Sequence, residues 1–229
     1  MKMKRKVITA LLAATMVASL AVGCGNKGGD SKSDSSKSSS SDEITIGFSQ
    51  VGAESDWRTA NSESMKSTFS EKNGYKLIFD DAQQKQENQI TAIRNFIQQD
   101  VDYIVLAPVT ETGWDTVLKE AKDADIPVII VDRMIDVSDD SLYTAWVGSN
   151  FKMEGQKACE WLNAYAEAKG MKEVNIAHIQ GTIGASAQIG RTEGLEEAAK
   201  EYGWNIVAQQ TGEFTQAKGQ EVMESMLKQ

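Results

Sequence analysis

Short apolar segments of strand length alternate with helical segments along most of the chain, and this alternation limits the fold more than any other feature. Residues 101–107 form a nearly continuous apolar run that ends at Pro108, as expected for a strand covered on both faces. Upstream, Ile90, Ile93 and Ile97 recur at the spacing of one helix face. Strands that alternate with helices favour an α/β fold with a doubly wound parallel sheet. We predict strands at residues 44–48, 75–79, 101–107, 128–131, 142–147 and 174–179.

Two segments share a pattern of a glycine with an aromatic residue, a strand, a polar turn and an amphipathic helix. They are GYKLIFDDAQQKQENQITAIRNFI from Gly74 and GWNIVAQQTGEFTQAKGQEVMESML from Gly203. The repeat predicts two similar lobes, at residues 43–148 and 149–229, each with a doubly wound parallel sheet. The competing interpretation is that any two βαβ units look alike.

The two repeated segments differ in their continuation along the chain. The first leads into the predicted strands at 101–107 and 128–131, whereas the sequence stops at Gln229, inside the helix of the second. No C-terminal glycine caps that helix. We therefore expect an incomplete second lobe and a C-terminally truncated chain.

The N-terminal residues have the layout of a secretory signal peptide. Four basic residues within the first six positions precede an apolar run at 7–22, which is shorter than the about 20 residues that span a bilayer as a helix. We predict a signal peptide at 1–23. The sequence LAVGC that ends at Cys24 resembles a bacterial lipobox, so we expect Cys24 to carry a lipid, and the Ser/Gly-rich residues 24–42 to form a flexible tether. Cleavage elsewhere is the alternative.

Composition limits the partners and the cross-links of the chain. The formal net charge is −9, and residues 1–23 contain four basic residues and no acidic residue, so removal of the predicted signal peptide would make the chain more acidic. The chain therefore lacks the basic surface that nucleic-acid binding requires. The sequence has two cysteines. If Cys24 is lipidated, Cys159 has no partner for a disulfide bond.

Polar and aromatic side chains follow two of the predicted strands. The segment FSQVGAESDWR brings Trp57 and Arg58 to one strand end, and IPVIIVDR brings Asp132 and Arg133 to another. Ligands of open α/β sheets bind beyond the carboxyl ends of the strands. Guanidinium groups, a carboxylate and an indole ring suit a polyhydroxylated ligand. The alternatives are a core role for Trp57 and a surface ion pair for Asp132 and Arg133.

The remaining tryptophans and the single histidine fit structural roles. Trp114 opens a predicted helix and is expected to pack, and Trp146, Trp161 and Trp204 are expected in the core or between the lobes. His178 lies inside an apolar strand, where we expect a structural role.

Catalysis is the rival interpretation, and the sequence offers little for it. The sequence has no second histidine, and no cysteine accompanies His178 to build a zinc site, so we predict no metal and no cofactor. The segment GTIGAS has neither a GxSxG elbow nor a P-loop lysine. The pairs Asp80–Asp81 and Asp139–Asp140 are typical of solvated turns, although a carbohydrate-active enzyme would need paired carboxylates. We predict that the protein is not an enzyme and has no catalytic residue.

Five blocks, in order, resemble one protein family. They are FSQVGAESDWR, DAQQKQENQI, APVTETGWDTVLKEAKDADIPVIIVDR, QGTIGASAQIGR and GEFTQAKGQEVMES. This series is similar to the type 1 periplasmic sugar-binding proteins of ABC importers, above all to the ribose- and galactofuranose-binding members, from residue 44 to 229. The resemblance implies a Venus-flytrap fold, in which two α/β lobes close on a sugar. It also implies that the sugar is contacted by Glu54, Ser55, Asp56, Trp57, Arg58, Asp132, Arg133 and Arg191.

The resemblance also implies a function. We expect an extracytoplasmic lipoprotein, anchored to the membrane through Cys24, that captures a monosaccharide such as galactofuranose or a related pentose or hexose. It would deliver the sugar to the permease of an ABC transporter. One alternative is a sugar sensor that signals to a membrane receptor or kinase. The sensor lobe of a transcription regulator shares the fold, but the signal peptide and the absent DNA-binding domain argue against it.

Overall fold

The structure is a computed structural model, and it describes residues 43–228. The predicted signal peptide, Cys24 and the tether lie outside the described residues. We call residues 43–148 the first lobe and residues 149–228 the second lobe. All described residues belong to one compact unit. The first lobe contains β1 (Ile44–Gln50), α1 (Asp56–Thr68), β2 (Tyr75–Asp81), α2 (Gln86–Gln98), β3 (Tyr103–Leu106), α3 (Asp115–Asp123), β4 (Val128–Asp132), a short 3₁₀ helix (Asp140–Leu142) and β5 (Ala145–Gly148).

The first lobe is built on a five-stranded parallel sheet with the strand order β2-β1-β3-β4-β5. In its central strand β3, Ile104, Val105 and Leu106 are buried on both faces of the sheet, as their apolar sequence predicts, whereas Tyr103 at the start of the strand is exposed. On one face the strands pack against Phe96 of α2 and Leu118 of α3, with Trp114 fully buried between them. On the other face Phe48 and Phe79 pack together, near Met65 of α1. The prediction of an α/β fold with a doubly wound parallel sheet is confirmed.

The second lobe contains α4 (Phe151–Ala168), β6 (Asn175–Gln180), α5 (Ser186–Tyr202), β7 (Asn205–Thr211) and α6 (Gln216–Met226). Its strands β6 and β7 pair in parallel, so the described part of this lobe holds a two-stranded sheet. A small core of Cys159, Leu195 and Trp204 lies between the helices and the sheet.

The backbone supports the internal repeat that the sequence indicates. Gln83 and Gln84, which follow β2, are two successive non-glycine residues with positive φ, at 53° and 60°. Glu213 and Phe214, which follow β7, have φ of 56° and 57°. Left-handed conformation is uncommon for such residues, and a pair of them at matching positions shows that the same turn connects strand and helix in both lobes.

Some local predictions differ from the structure. The strand predicted at 142–147 begins at Ala145, because the Asp139 side chain accepts a hydrogen bond from the Ser141 amide and starts a 3₁₀ turn instead. The predicted burial of Trp161 is wrong: its side chain is 68% exposed on α4, where it stacks on Tyr165. Trp204 is buried as predicted.

The His178 ring lies in β6 and is hydrogen-bonded to the Gln209 side chain of the neighbouring strand at 3.1 Å. Within residues 43–228, no helix combines the length and the apolar character of a membrane span.

Candidate ligand-binding site

A cavity of about 320 Å³ lies where the carboxyl ends of β1 and β4 face the second lobe. The first lobe contributes the start of α1 and the end of β4, and the second lobe contributes α4, α5 and the turn after β7. This position matches the rule that ligands of parallel α/β sheets bind beyond the carboxyl strand ends. The lining residues are Glu54, Ser55, Trp57, Arg58, Asp132, Arg133, Ser149, Phe151, Glu154, Ala187, Arg191 and Phe214.

Arg58 is the centre of a buried polar network on the first-lobe wall. Its side chain is 3% exposed, and its guanidinium group donates to Glu54 Oε1 at 3.2 Å and to Asp132 Oδ2 at 2.9 Å. It also donates to the Gln50 side chain at 3.3 Å. Gln50 is held in turn by Asn61 on α1, so the arginine has little freedom to move. The network therefore presents a fixed set of charges at the cavity.

Asp132, the last residue of β4, has a backbone conformation that few non-glycine residues adopt, and Arg133 follows it. Asp132 has a φ of 63°, and the Trp146 ring nitrogen donates to its carbonyl oxygen at 3.3 Å. Arg133 is buried and donates to the Val109 carbonyl oxygen at 3.0 Å. Burial, followed by the charge of Arg58, lowers the pKa of Arg133 to about 10. The group remains charged at neutral pH.

The second-lobe wall carries the third arginine. Arg191 on α5 donates to Glu154 Oε2 on α4 through two nitrogens, at 2.9 and 3.0 Å. Its guanidinium carbon lies 5.1 Å from the centre of the Phe151 ring. Phe214 lies between the lobes, with its ring centre 4.9 Å from the guanidinium of Arg133 and 6.0 Å from that of Arg191. The aromatic ring thus connects arginines of both lobes.

The charges that line the cavity balance. Three arginines face three carboxylates, Glu54, Asp132 and Glu154, and each arginine is within 4 Å of a carboxylate oxygen. One acceptor is left over: Glu54 Oε2 is buried and receives no hydrogen bond from the described residues. An unsatisfied buried acceptor carries a cost in lost hydration that no contact among the described residues offsets.

The structure brings seven of the eight predicted ligand contacts to this cavity. Glu54, Trp57, Arg58 and the pair of Asp132 with Arg133 lie on its first-lobe wall, Arg191 lies opposite, and the lining also includes Ser55. The Ser55 side chain accepts a hydrogen bond from the Arg58 amide and caps α1. Asp56 is exposed in the first turn of that helix and is not among the lining residues.

Five lining residues were not predicted: Ser149, Phe151, Glu154, Ala187 and Phe214. Most of them lie on α4 and α5 or in the turn after β7, and the sequence gives no sign of how these elements pack. Phe214 occupies the same repeat position as Gln84, at the turn after the matching strand, but Gln84 is neither a predicted contact nor a lining residue, so the repeat gives no signal for Phe214 either.

The cavity offers hydrogen-bonding groups and aromatic surface. Within residues 43–228, no three His, Cys, Asp or Glu side chains are grouped to hold a metal ion. The lining includes two serines; the Ser55 hydroxyl accepts a hydrogen bond from the Arg58 amide, and Ser149 lies just before α4. Such a set of side chains can bind and orient a polar ligand.

Comparison with known proteins identifies the family. The family model of the periplasmic binding protein domain matches residues 46–229. The chain belongs to the periplasmic binding protein family. This places it in a family of solute-binding proteins and agrees with the fold described above.

Several members of the family are similar to this chain in sequence and structure. The galactofuranose-binding protein YtfQ of Escherichia coli is 50% identical over 186 residues, which are 81% of this chain and 57% of the relative. The binding protein of the arabinose ABC transporter from Shewanella sp. ANA-3, solved with α- and β-L-arabinofuranose, is 54% identical with a TM-score of 0.74, over 81% of this chain and 60% of that structure. A protein from Mycobacterium smegmatis in complex with β-D-fucofuranose is 49% identical with a TM-score of 0.76, over 81% and 60%. The chain thus spans less than two thirds of these relatives.

Proposed function

We propose that the protein is an extracytoplasmic receptor that captures a neutral monosaccharide in its furanose form and delivers it to the permease of an ABC transporter. The observation that carries this proposal is the charge-balanced cavity. Its arginines are already paired with carboxylates, so a charged ligand would leave an uncompensated charge in a buried site. A neutral polyol can accept hydrogen bonds from the guanidinium groups and donate them to the carboxylates.

The aromatic rings at the cavity support a sugar over other neutral ligands. Trp57, Phe151 and Phe214 present apolar surface beside the polar network. A sugar ring has hydroxyl groups at its edge and C–H groups on its faces, and such a molecule fits a site with both kinds of surface. The furanose form is supported by the relatives, because the three named above bear galactofuranose, arabinofuranose or fucofuranose in their names or bound states.

Titration calorimetry of the full-length protein tests the proposal. L-arabinose and D-galactose should bind, and their phosphate esters and uronic acids should bind at least tenfold more weakly. The ring form can be read from the NMR signal of protein-bound [1-¹³C]arabinose, since the anomeric carbon resonates differently in furanose and pyranose rings. Preference for the charged derivatives, absence of binding by any neutral sugar, or a bound pyranose would each contradict the proposal.

Trp57 allows a test of the site that does not endanger the fold. Its side chain is 58% exposed, so Trp57→Ala should leave the free energy of unfolding nearly unchanged. Loss of the ring contact should weaken sugar binding by about tenfold, which corresponds to about 1.4 kcal/mol. The matched control is Trp161→Ala, since Trp161 is also exposed but lies outside the cavity lining. Equal affinities in the two variants would place the sugar elsewhere.

We also propose that Cys24 carries the lipid anchor predicted from the sequence. Cell fractionation of a Cys24→Ser variant tests this proposal. The variant should be released from the membrane fraction or remain unprocessed. A correctly processed variant that stays in the membrane fraction would show that the anchor is elsewhere.

A further inference from the structure

Two hydrogen bonds join the lobes beside the cavity. The Ser186 hydroxyl, at the start of α5, accepts a hydrogen bond from the Met134 amide at 2.9 Å. The Gly184 carbonyl oxygen accepts one from the Glu111 amide at 2.8 Å. In both cases the donor is a backbone amide of the first lobe and the acceptor belongs to the segment that leads into α5. The first of these contacts depends on a side chain and can be removed by substitution.

Ser186 lies where the first-lobe segment after β4 contacts the start of α5 in the second lobe. Met134 directly follows Asp132 and Arg133, whose side chains line the cavity, and α5 carries Arg191 of the opposite wall. Ser186 itself is buried and is not among the residues that line the ligand cavity. It lines a separate space of about 270 Å³ between the lobes. Ser186 can therefore hold the walls together without contact to a ligand in the cavity.

The Ser186 hydroxyl is not used to cap its own helix. The cap position of α5 is Ala185, which has no side-chain acceptor, and the serine stands one residue later. Among residues 43–228, four helices have a capping side chain that accepts a hydrogen bond from an amide of the same element, as with Ser55 in α1 and Asn150 in α4. At α5 the hydroxyl instead accepts from the other lobe. Its role lies between the lobes and not within the helix.

We propose that Ser186 is a positioning residue whose hydrogen bond to the Met134 amide stabilises the closed arrangement of the lobes and thereby tightens the binding of any ligand of the cavity. This inference rests on the proposed sugar-binding function. When the lobes part, both groups return to water, so the hydrogen bond favours the closed arrangement alone. A ligand that contacts both lobes binds the closed arrangement. Its affinity therefore rises by the factor by which the Ser186 hydrogen bond increases the population of that arrangement.

The affinity of a Ser186→Ala variant tests the proposal. A net hydrogen bond of ordinary strength predicts that the dissociation constant rises about three- to tenfold. Because Ser186 acts through closure, the factor should be the same for L-arabinose and D-galactose, even though their affinities differ. Ser186→Thr, which keeps the hydroxyl, should restore binding. Ser225→Ala on α6, an exposed serine outside the cavity lining, is the matched control and should bind like the parent.

Several results would overturn the proposal. An unchanged dissociation constant in Ser186→Ala would do so, and so would a factor that differs between the two sugars, which would indicate direct contact with the ligand. Failure of the sugar-binding proposal itself would appear as absence of binding in the parent protein. In that case spin labels at the exposed positions Lys119 and Lys200, one on each lobe, measure closure directly by pulsed electron spin resonance. Ser186→Ala should shift the distance distribution to longer values, and an unchanged distribution would refute the proposed role of Ser186.

Discussion

Glu54 is shared by two arginines, and this makes it the residue on which the first-lobe wall depends. Its Oε1 atom lies 3.2 Å from Arg58 Nε and 3.9 Å from a terminal nitrogen of Arg133, and its side chain is 2% exposed. Removal of a buried carboxylate leaves its partners without compensation for their lost hydration. The Glu54 carboxylate therefore stabilises the fold as well as lining the cavity.

Substitution of Glu54 should accordingly affect stability as well as binding. Glu54→Gln keeps the shape of the side chain but removes its charge, and we expect it to lower the free energy of unfolding by about 3 kcal/mol. Urea denaturation without ligand measures this loss. The control is Glu120→Gln, which breaks the exposed ion pair of Glu120 with Arg94 and should leave the unfolding midpoint almost unchanged. Similar losses in both variants would contradict the special status of the buried network.

Contiguous residues at strand ends are the part of the site that the sequence could predict. Trp57 with Arg58, and Asp132 with Arg133, follow buried strands, and parallel strands bring such ends to one edge. The predicted ligand contacts include Asp56 because it belongs to the same segment as Trp57 and Arg58. Successive residues of a helix point in directions about 100° apart, so one segment does not turn all its side chains to the cavity, and Asp56 is exposed. Phe151 and Glu154 could not be predicted, because their position depends on the packing of α4 against α5.

At the scale of elements, three glycines allow α4 and α5 to pack backbone to backbone. A Cβ atom on Gly155 would lie 2.7 Å from the Arg191 carbonyl oxygen, and one on Gly194 would lie 2.7 Å from the Lys152 carbonyl oxygen. Gly190 has a similar contact at 2.8 Å, to the Lys152 amide nitrogen. This close approach places Glu154 on α4 within reach of Arg191 on α5. The glycines therefore determine the geometry of the second-lobe wall.

Replacement of glycine by alanine usually stabilises a helix, but where α4 crosses α5 the added methyl group should destabilise the protein. Gly194→Ala should destabilise the protein by about 1–3 kcal/mol, because the backbone of α4 must move away. The matched control is Gly219→Ala in α6, where no atom lies within 4 Å of the new Cβ and a gain of about 0.5–1 kcal/mol is expected. Chemical denaturation of both variants measures the difference. A stabilising Gly194→Ala would show that the helices are not held in this close packing.

At the scale of the whole molecule, the periodicity of apolar residues was sufficient to predict the fold class. Residues 101–107 have too few polar side chains to form an exposed strand face, which predicts a strand in the interior of the sheet. In the structure β3 is the central strand. The exposure of Trp161 could not be predicted, because it depends on which face of α4 the second lobe covers. Periodicity specifies each element and its buried face, whereas contacts between the lobes involve residues that are distant in sequence and leave no local pattern.

One such contact places carboxylates of the two lobes near each other. Glu111 of the first lobe and Glu193 on α5 line the space between the lobes that Ser186 also lines. The Asp136 amide donates a hydrogen bond to the backbone carbonyl oxygen of Glu111 at 2.7 Å. Burial, and then the charges of Asp136 and Glu193, raise the pKa of the Glu111 carboxyl above its ordinary value. Lys152 on α4 lines the same space and is paired with Glu197. The folded protein thus carries an unfavourable charge at Glu111 when the pH is neutral.

The dependence of stability on pH should reveal this charge. A carboxyl with a raised pKa in the folded state keeps its proton to higher pH than in the unfolded chain, so the free energy of unfolding falls as the pH rises from the ordinary value, near 4.3, through the raised one. Glu111→Gln should remove this fall, which makes the variant more stable than the parent at pH 7 and equally stable at pH 4. Urea denaturation between these values measures the difference, with Glu63→Gln on the exposed face of α1 as control. Because part of the shift comes from the other lobe, the gain should be smaller in a Glu193→Gln background. Parallel pH curves for Glu111→Gln and the parent, or a gain that Glu193→Gln leaves unchanged, would show that the lobes do not interact through these carboxylates.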